Sequence, residues 1–473
     1  MSTQAPSVLD GLIDPEGVDQ EKVDKALREE WETPLPKHDA ATIIDLDHLR
    51  IRDSLDLCVK CTICETQCPV ARVTPLFSGP KFVGPQAERF RGGPVSVDHS
   101  IDYCSSCGTC TNVCPQGVKV AEINHHARTA MKQQNGIPLR DKIISRTTLM
   151  GAVMTPVAPL ANWALRQHWI RLIVEKVIGI AAEAPMPVAD GYTFDSWFDK
   201  HTPHPNSGKR GQVIFFHGCA GEYFEVETSI NSVELLEYVG YEVLNPKQGC
   251  CGLALQSNGL YDDARKYVSR LTKNLLSVSR DAPIVTASGS CGGMLKHEAQ
   301  EILGMDTEDL NEVAKKTWDI CEFLLDLADR GELPDRLRAF HATIPYHAPC
   351  QLRSTGMGMP AVHLMELIPG LNVVESEQPC CGIAGTYGLK KEKFAIAQAV
   401  GKPVFDFIKR VNPELAACDT ETCRWQLRTG SGANVVHPIW LLHKAYGLDQ
   451  DRQATETKRG KFMRGLHKLA KRP

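Results

Sequence analysis

Seventeen of the eighteen cysteines in this chain fall into four groups, and the groups form two matched pairs. Each group of the first pair has the spacing Cys-x2-Cys-x2-Cys-x3-Cys-Pro. Each group of the second pair has a leading cysteine, an adjacent Cys-Cys-Gly and a later cysteine. Thiolates at such spacings are soft ligands that suit iron and sulfide. The pattern therefore predicts a protein that moves electrons.

The first pair of groups predicts two cubane [4Fe-4S] clusters. In two-cluster ferredoxins, three thiolates of a cluster come from one loop and the fourth comes from the Cys-Pro of the other group. A zinc ribbon needs only two Cys-x2-Cys pairs, so it leaves the third cysteine and the proline of each group unexplained. The predicted ligand sets are Cys58, Cys61, Cys64 and Cys114 for one cluster, and Cys104, Cys107, Cys110 and Cys68 for the other.

The second pair of groups belongs to a tandem repeat. Equivalent cysteines of the two copies lie 130 to 132 positions apart, and each leading cysteine follows a predicted strand and a histidine, His217 or His347. Adjacent cysteines need special geometry, and the following glycine allows the positive φ that such a turn can require. The candidate metal ligands are Cys219, Cys250, Cys251 and Cys291 in the first copy, and Cys350, Cys380, Cys381 and Cys423 in the second.

The pattern Cys-x30-Cys-Cys-Gly-x38-Cys resembles the cysteine-rich "CCG" domain of heterodisulfide reductase subunits and related oxidoreductases. In that family the motif binds a non-cubane [4Fe-4S] cluster or, in some members, zinc. The family signature ends in Cys-x2-Cys, whereas Ser288 and Thr420 precede the last cysteines here and Cys418 is displaced. Each copy thus offers four thiolates in register instead of five. A non-cubane cluster, zinc and buried unliganded thiols all stay open.

Hydrophobic periodicity predicts the organisation around these cysteines. Strands at 213–216, 241–244 and 283–288, with helices between them, are matched in the second copy by strands at 343–347 and 371–376. The predicted fold is multidomain, with a helical two-cluster ferredoxin domain followed by two tandem α/β CCG units. The expected segments are an acidic extension at 1–47, the ferredoxin domain at 48–140, an apolar bridge and linker at 141–210, the first CCG unit at 211–335, the second at 336–450 and a basic tail at 451–473.

Charge and hydropathy suggest a membrane surface without a membrane span. Residues 1–47 carry a net charge of −8, and the last sixteen residues carry seven basic side chains and no acidic one. In that tail, Phe462, Leu466 and Leu469 have the spacing of one helical face, which suits an interfacial helix on anionic lipid; a solvated basic end is the alternative. The apolar stretch 149–165 is too short to span a bilayer, so it either docks on a surface or packs in the core.

Other features restrict the possible functions. Since no dinucleotide fingerprint and no P-loop follow a strand, a separate flavin-containing subunit is expected as a partner. A nucleic-acid partner is not expected. The N-terminal residues lack the pattern of a secretory signal, so a reducing, cytosolic setting is expected. Isolated Cys321 is expected in the core. His217 and His347 are expected to pack at strand ends, with a role beside a metal or in a proton relay as the alternative.

Over residues 58–447 the chain resembles the iron–sulfur subunits of anaerobic glycerol-3-phosphate dehydrogenases. The resemblance rests on the order ferredoxin, ferredoxin, CCG, CCG and on the strings CVKCTICETQCPVARV, LMGAVMTPVAPL, FFHGC, CCGIAGTYGLKKE, ETCRWQ and HPIWLL. It implies an iron–sulfur carrier that passes electrons from a flavoprotein dehydrogenase to membrane quinone, as a peripheral subunit on the cytoplasmic face. Related subunits serve glycolate and lactate oxidation. A heterodisulfide-reductase-like enzyme and a zinc-containing scaffold are the competing interpretations.

Overall fold

The computed structural model describes residues 51, 53–90, 98–411 and 414–450, together with two short strands near the N-terminus. Those strands, β1 (Ile13–Asp14) and β2 (Gly17–Val18), pair antiparallel within a separate unit formed by residues 1–45. Residues 46–473 form the second unit. The rest of the acidic extension and the interfacial helix expected in the basic tail lie outside the described residues.

The ferredoxin region is helical, as predicted. Short helices Ile63–Thr66 and Thr109–Asn112 lie within the two cysteine groups, and a longer helix, Val120–Asn135, packs behind them. In the long helix Val120, Ile123, Ala127 and Met131 recur every three or four residues and are buried, which is the periodicity of a helix with one face in a core. It ends at Gly136, whose φ of 81° favours glycine.

The bridge between the ferredoxin region and the sheets is a series of helices, where the sequence predicted only an apolar segment. These helices are Leu139–Ile144, Thr147–Met154, Ala158–Arg166, His168–Ile178 and Phe194–Phe198. Pro156 and Pro159 separate the second helix from the third without preventing either, because each proline lies near the first turn of a helical segment.

Each CCG unit contains a parallel four-stranded sheet. The first sheet has the order β4-β3-β5-β6 and the second has the equivalent order β8-β7-β9-β10. The strands are β3 (Gln212–Phe216), β4 (Glu242–Leu244), β5 (Ile284–Thr286), β6 (Thr317–Asp319), β7 (Ala342–Tyr346), β8 (Leu371–Glu375), β9 (Leu415–Ala417) and β10 (Asn434–Val436). The edge strands β6 and β10 were not predicted from the sequence, because three residues are too few to show a period of two.

Helices cover both sheets, as expected for parallel strands joined by crossovers. In the first unit they are Gly218–Tyr223, Val226–Tyr238, Leu253–Ser257, Tyr261–Leu276, Gly289–Gly293, Ala299–Glu301, Glu308–Lys316 and Ile320–Asp329. In the second unit they are Cys350–Ser354, Pro360–Glu366, Lys391–Val411, Glu421–Ser431 and Pro438–Ala445. Shorter 3₁₀ or π segments occur at Asp53–Leu57, Phe82–Gln86, His99–Tyr103, Thr155–Val157, Met294–Glu298 and Tyr387–Leu389.

The two CCG units share one hydrophobic core. Phe215 and Leu235 of the first unit pack in the same buried cluster as Ile344 and Leu364 of the second. At its edge Glu225 of the first unit accepts hydrogen bonds at 2.8 Å from Trp425 Nε1 and Arg428 Nη1, and a longer one from Arg424. The core and these charged contacts fix the relative position of the two sheets.

A second buried contact joins the ferredoxin region, the bridge and both CCG units. Asp141 of the bridge accepts hydrogen bonds from Lys390 at 2.6 Å and from Lys132 of the ferredoxin region at 3.1 Å. Lys390 belongs to the second CCG unit and also donates to Asn258 of the first, at 2.8 Å. Burial opposes ionisation of Asp141, yet the two ammonium groups hold its pKa well below the ordinary range.

A pair of buried carboxyl groups also lies where the two units meet. Asp319, at the end of β6, accepts a hydrogen bond from the backbone N–H of Cys321 at 2.8 Å and so caps the helix Ile320–Asp329. Asp419 accepts a hydrogen bond from the Tyr346 hydroxyl at 2.6 Å. Burial, with the negative charge of Asp419 as the next contribution, raises the pKa of Asp319 to about 8. Asp319 therefore holds a proton at neutral pH.

This raised pKa predicts a pH dependence of stability. Between about pH 4 and pH 8 the folded chain keeps a proton on Asp319 that the unfolded chain releases, so stability falls as the pH rises through that window. Asp319→Asn keeps the helix cap but cannot ionise. We expect this variant to unfold at a higher temperature than the wild type at pH 8, with a smaller gain at pH 5, in anaerobic thermal denaturation.

Asp326→Asn, on the exposed face of the same helix, is the matched control and should show no such pH-dependent gain. An equal gain for Asp319→Asn at both pH values would contradict the assignment of the proton to this carboxyl pair.

Candidate metal centres and the cleft between them

The first predicted cluster site is formed by cysteines from both ferredoxin groups. Cys58, Cys61, Cys64 and Cys114 line one small cavity with about 360 Å³ of empty space, which we call ferredoxin site A. The loop wraps around the cavity because Lys60 and Thr62 adopt positive φ values of 58° and 66°. Burial, followed by the charge of Glu65, raises the pKa of the Cys64 thiol to about 11.

The second predicted cluster site is formed by the other four cysteines of the two ferredoxin groups. Cys68, Cys104, Cys107 and Cys110 line a cavity with about 320 Å³ of empty space, ferredoxin site B. Backbone N–H groups of Ala71 and Ser106 donate to the sulfur atoms of Cys68 and Cys104 at 3.5 and 3.4 Å. Burial is also the main reason why the pKa of Cys68 is raised to about 12.

These two sites fit the binding of [4Fe-4S] clusters. In each site four cysteines line one small cavity. Three of them belong to one cysteine group and the fourth is the Cys-Pro cysteine of the other group, as the sequence predicts. Desolvated thiols with raised pKa values are neutral unless a bound cation stabilises the thiolate. The structure therefore brings the predicted residues together, while their role as cluster ligands stays a prediction.

The first CCG unit gathers its four predicted thiols at the ends of β3, β4 and β5. The sulfur atoms of Cys251 and Cys291 are 3.3 Å apart. Cys219 and Cys250 lie close enough for one hydroxyl, that of Thr147, to reach their sulfur atoms at 3.1 and 3.6 Å. Thr147 belongs to the bridge, so this unit receives a hydrogen-bond donor to sulfur from outside its own repeat.

The second CCG unit gathers five thiols, one more than sequence reasoning predicted. Cys350, Cys380, Cys381 and Cys423 interact as neighbours, and Cys418 lies within hydrogen-bond reach of Cys423. Hydrogen bonds from Cys380 and Cys423 lower the pKa of Cys381 to about 6. Cys418 therefore lies at the site even though it is displaced in the sequence from the position that the family signature predicts.

Both units have a hydroxyl residue where the family motif has its fifth cysteine, Ser288 in the first unit and Thr420 in the second. In the first unit Ser288 takes the place of the fifth thiol, and its hydroxyl accepts a hydrogen bond from the Cys291 N–H at 3.4 Å. Cys321 is fully buried beside Asp319 and Asp419, in agreement with the predicted core position. The first unit therefore has four thiols, whereas the displaced Cys418 gives the second unit five.

The Cys-Cys-Gly turns have a steric reason for their glycine. Gly252 and Gly382 have φ values of 86° and 90°, and their N–H groups donate to the sulfur atoms of Cys250 and Cys380. A Cβ atom at Gly382 would lie 2.0 Å from the carbonyl oxygen of Ala397. Only glycine permits both the conformation and the close approach.

One central cleft connects the thiol sets. It has about 1400 Å³ of empty space including its open mouth. Seven CCG cysteines line it, together with Cys107 of ferredoxin site B: Cys219, Cys250, Cys251, Cys291, Cys350, Cys381 and Cys423. Much of the remaining wall is apolar, with Met150, Met186, Phe224, Ile383 and Trp425 among its residues. The carboxyl ends of parallel strands are where such folds bind ligands.

A strongly apolar surface lies next to this cleft on the bridge helices. We call it the apolar helical face, and it consists of the exposed side chains of Leu149, Val153, Val157, Leu160, Trp163, Trp169, Leu172, Ile173 and Val177. In the helix His168–Ile178 no residue is buried. Of the two alternatives for the apolar stretch, the surface position is the one seen. No helix among the described residues combines the length and the apolarity needed to cross a membrane.

Comparisons with known proteins agree with this architecture. Residues 54–118 match the family model "4Fe-4S dicluster domain", and residues 213–296 and 344–428 match the "Cysteine-rich domain". The chain is 34% identical to the C subunit of the anaerobic glycerol-3-phosphate dehydrogenase of Escherichia coli over 397 residues, which is 83% of this chain and 98% of that protein. The chain belongs to the family of this dehydrogenase subunit.

More distant relatives extend the comparison to other oxidoreductases. The glycolate oxidase iron–sulfur subunit of Escherichia coli is 23% identical over 83% of this chain and 94% of its own length. The D subunit of the dihydromethanophenazine:CoB–CoM heterodisulfide reductase of Methanosarcina barkeri is 23% identical over 80% and 90%. The predicted family and fold class are confirmed, and the chain is an iron–sulfur protein. The exact domain boundaries stay a prediction.

Three residues of the site were missed or set aside in the sequence. Thr147 lies 72 positions before Cys219, the cysteine that it contacts. Glu298, which lines the central cleft, lies in a helical stretch with no recognisable motif. Cys418 is out of register with the family signature, so the sequence does not predict it as a ligand. Only Cys418 carried a signal in the sequence, since it is the one remaining cysteine near the second set.

Each ferredoxin site is predicted to take its fourth cysteine from the other group, and this predicts how much iron double cysteine variants lose. A chain with both ferredoxin sites filled holds about eight irons there, and loss of one site removes about four. Cys68→Ser combined with Cys107→Ser should lose no more iron than either variant alone, because both residues belong to site B. Cys68→Ser combined with Cys61→Ser should lose both sites. Iron assay and electron paramagnetic resonance after anaerobic purification measure this.

Cys321→Ser is the matched control, since this buried thiol lies outside both sites, and it should keep all its iron. An additive loss for the Cys68 and Cys107 pair would contradict the exchange.

Proposed function

We propose that this chain is the electron-transfer subunit that carries electrons from a flavoprotein dehydrogenase to membrane quinone. The observation that supports it best is the central cleft, where both CCG thiol sets and Cys107 of ferredoxin site B line one largely apolar space. Family membership supports glycerol-3-phosphate as the substrate of the flavoprotein partner. When bound, iron–sulfur clusters supply one-electron transfer between a two-electron flavin and the acceptor.

The order of the thiol sites supports a direction of transfer. Ferredoxin site A lies nearest to solvent, since Cys61 is exposed and Leu57, Val59 and Ile63 form an apolar rim beside it. Exposed apolar residues around a site are typical of a docking surface, here for the flavoprotein. At the other end, Cys107 of site B lies beside Cys350 and Cys380 of the second CCG unit. The sites thus form a series from the surface to the cleft.

The cleft is suited to a quinone ring in shape and polarity. A quinone has a flat apolar ring with two carbonyl oxygens, so it needs an apolar wall with a few hydrogen-bond donors. Trp425, Phe224 and Met186 supply apolar surface, while Ser105 and Gln351 supply polar groups. The CCG units would hold the metal that faces this ring, as iron–sulfur or zinc.

The apolar helical face supports a peripheral position on the cytoplasmic face of the membrane. Its helices are amphipathic, and Trp163 and Trp169 expose 51% and 59% of their surface. Such helices lie in the interface with their apolar side among the lipid chains, and tryptophan is favoured at that depth. Because Thr147 and Met150, from the helix that begins this face, also line the cleft, lipid and cleft would be neighbours.

A heterodisulfide-reductase-like enzyme is the second candidate. The observation in its favour is the five-thiol set of the second CCG unit, which Cys418 completes. The first unit has only four thiols, with Ser288 in the fifth place, and this asymmetry argues against two equivalent catalytic sites. In the third interpretation, the zinc-containing scaffold, only the ferredoxin sites would be redox-active. Metal analysis distinguishes it, because zinc would replace iron beyond the eight atoms expected at the ferredoxin sites.

The quinone site is tested by narrowing the cleft. Met186 lines the cleft on a loop, so Met186→Trp fills space without breaking a helix. In the complex purified anaerobically with its flavoprotein, we expect the KM for a water-soluble quinone to rise about tenfold. Reduction of ferricyanide, which can accept electrons at an exposed site, should not change.

Val278→Trp, at an exposed apolar position away from the cleft, is the matched control. The proposed function would be wrong if the reduced wild-type complex turned over a heterodisulfide and left quinone unreduced.

Membrane binding is tested by adding charge to the apolar helical face. Leu160→Glu together with Trp163→Glu places two carboxylates on the proposed lipid side. Each substitution removes apolar burial of about 1.5–3 kcal/mol and adds repulsion from anionic lipid. We expect the fraction bound to vesicles containing anionic lipid to fall at least about tenfold in sedimentation.

Val278→Glu with Leu367→Glu changes two equally apolar exposed residues elsewhere and should leave binding unchanged. If both pairs reduce binding equally, the apolar helical face is not the lipid contact.

A further inference from the structure

Reduction of a quinone consumes protons as well as electrons. Each quinone takes two electrons, which the reduced flavin of the partner supplies, and two protons, so that both carbonyl oxygens become hydroxyl groups. The central cleft is walled largely by apolar side chains and buried thiols. A quinone bound there therefore needs a path by which protons reach it from solvent.

A second cavity lies directly beside the cleft and is lined by charged and polar groups. This polar cavity has about 930 Å³ of empty space. The two spaces share a wall, because five residues line both of them: Ser106, Cys107, His125, Glu298 and Gln351. At its outer side Lys119 and Glu301 form an ion pair at 3.1 Å, and both side chains are more than one third exposed.

Glu298 is the carboxyl group in that shared wall. It ends the π-helical segment Met294–Glu298, a helix type that is rare and frequent at functional sites. Its residue is only 6% exposed, and Oε2 accepts a hydrogen bond from Gln256 Nε2 at 3.0 Å. The carbonyl oxygen of Gln256 is buried and has no hydrogen-bond partner among the described residues, so it can accept from a hydroxyl group or water in the cleft.

The electrostatic surroundings suit a group that exchanges protons near neutral pH. Burial raises the pKa of Glu298 to about 7, and the hydrogen bonds from Gln256 and Gln351 oppose this shift only in part. The titratable groups that face it or line the polar cavity with it are Glu122 and His125 of the helix Val120–Asn135, Lys119 before that helix, Tyr261, the thiol of Cys107, Lys296 and His297 of its own helical segment, and Glu301 just after that segment. Burial lowers the pKa of His125 well below its ordinary value, so this imidazole is neutral.

We propose that Glu298 carries protons from the polar cavity to the quinone in the central cleft. The inference rests on the proposed quinone function. The Glu298 carboxyl gives its O–H proton to a reduced quinone oxygen, forming the new O–H bond, and takes another proton from solvent that enters past Glu301. Two such transfers, with two electrons from the flavoprotein, convert the quinone to the quinol.

The other carboxyl group of the cleft does not offer this path. Glu421 also lines the cleft and is buried, and burial also raises its pKa. It does not line the polar cavity. Glu298 alone of these two therefore connects the cleft to a charged space with exposed groups at its edge.

The test uses Glu298→Gln in the full complex with the flavoprotein, a water-soluble quinone and ferricyanide as the alternative acceptor. Ferricyanide takes one electron and no proton. We expect quinone reduction to fall about 100-fold, the typical contribution of a positioned proton donor, with ferricyanide reduction unchanged and Glu298→Asp partly active. The wild-type rate should decline as the pH rises through about 7, because Glu298 then loses its proton, and this decline should disappear in Glu298→Gln.

Infrared spectroscopy gives a readout that does not depend on turnover. The wild type should show a protonated-carboxyl band that titrates near neutral pH and is missing in Glu298→Gln. Glu237→Gln, which removes a buried carboxylate paired with His201 and lining neither cavity, is the matched control. It should behave as the wild type in every assay.

The outcomes separate the two proposals. Quinone reduction by Glu298→Gln at the wild-type rate with the wild-type pH profile overturns the proton path. A wild-type complex that reduces ferricyanide and no quinone overturns the proposed function, and the proton path with it. If Glu298→Gln loses iron, the Gln256→Leu variant provides the test instead. Loss of the hydrogen bond from Gln256 to Glu298 should raise the pKa of Glu298 and so move the decline in quinone reduction to higher pH. An unchanged midpoint of that pH profile overturns the proton path.

Discussion

The buried carboxylate of Asp141 is the contact on which the arrangement of this protein depends. Lys132 of the ferredoxin region and Lys390 of the second CCG unit both donate to it, and Lys390 is held in turn by Asn258 of the first unit. Removing one partner from a buried ion pair typically costs about 3–5 kcal/mol, because the remaining charge stays desolvated. One group of hydrogen bonds thus holds the ferredoxin region, the bridge and both sheets together.

That arrangement has a consequence for the metal sites. In each sheet the cysteine loops follow the carboxyl ends of the parallel strands, so each set of thiols lies at that end of its sheet. The two units share a core that includes Phe215 and Ile344, and this core holds the carboxyl ends of both sheets toward the same cleft. Cys107 of ferredoxin site B lines the same cleft, and the long ferredoxin helix is tied to Asp141 through Lys132. Both CCG thiol sets and Cys107 of ferredoxin site B thus line one cleft through packing that none of the cysteine motifs specifies.

Local patterns explain how much of this was predictable. Strands such as β3 and β7 were predicted because they are short apolar runs bounded by turn residues. The exchange of Cys68 and Cys114 is predicted from the ligand pattern of two-cluster ferredoxins. Contacts between distant segments leave no such pattern. Thr147 reaches Cys219 only because the bridge folds across the first CCG unit, and Glu298 gains its position from the packing of helices around it. Cys418 shows the same limit, since register along the chain does not decide distance in space.

The proposed reduction of quinone would need one wall of the cleft for electron transfer and another for proton transfer. The thiol sites need desolvation, because water at a metal centre would compete for its ligands and weaken control of its potential. A proton path needs the opposite, a polar space open to solvent. The fold meets both demands by placing the cysteines on the sheet edges and the polar cavity between the ferredoxin helix and the Met294–Glu298 segment. Glu298 lies at the boundary, where burial raises its pKa to about 7 so that it can exchange a proton near neutral pH, and the adjoining charged cavity allows that proton to be replaced.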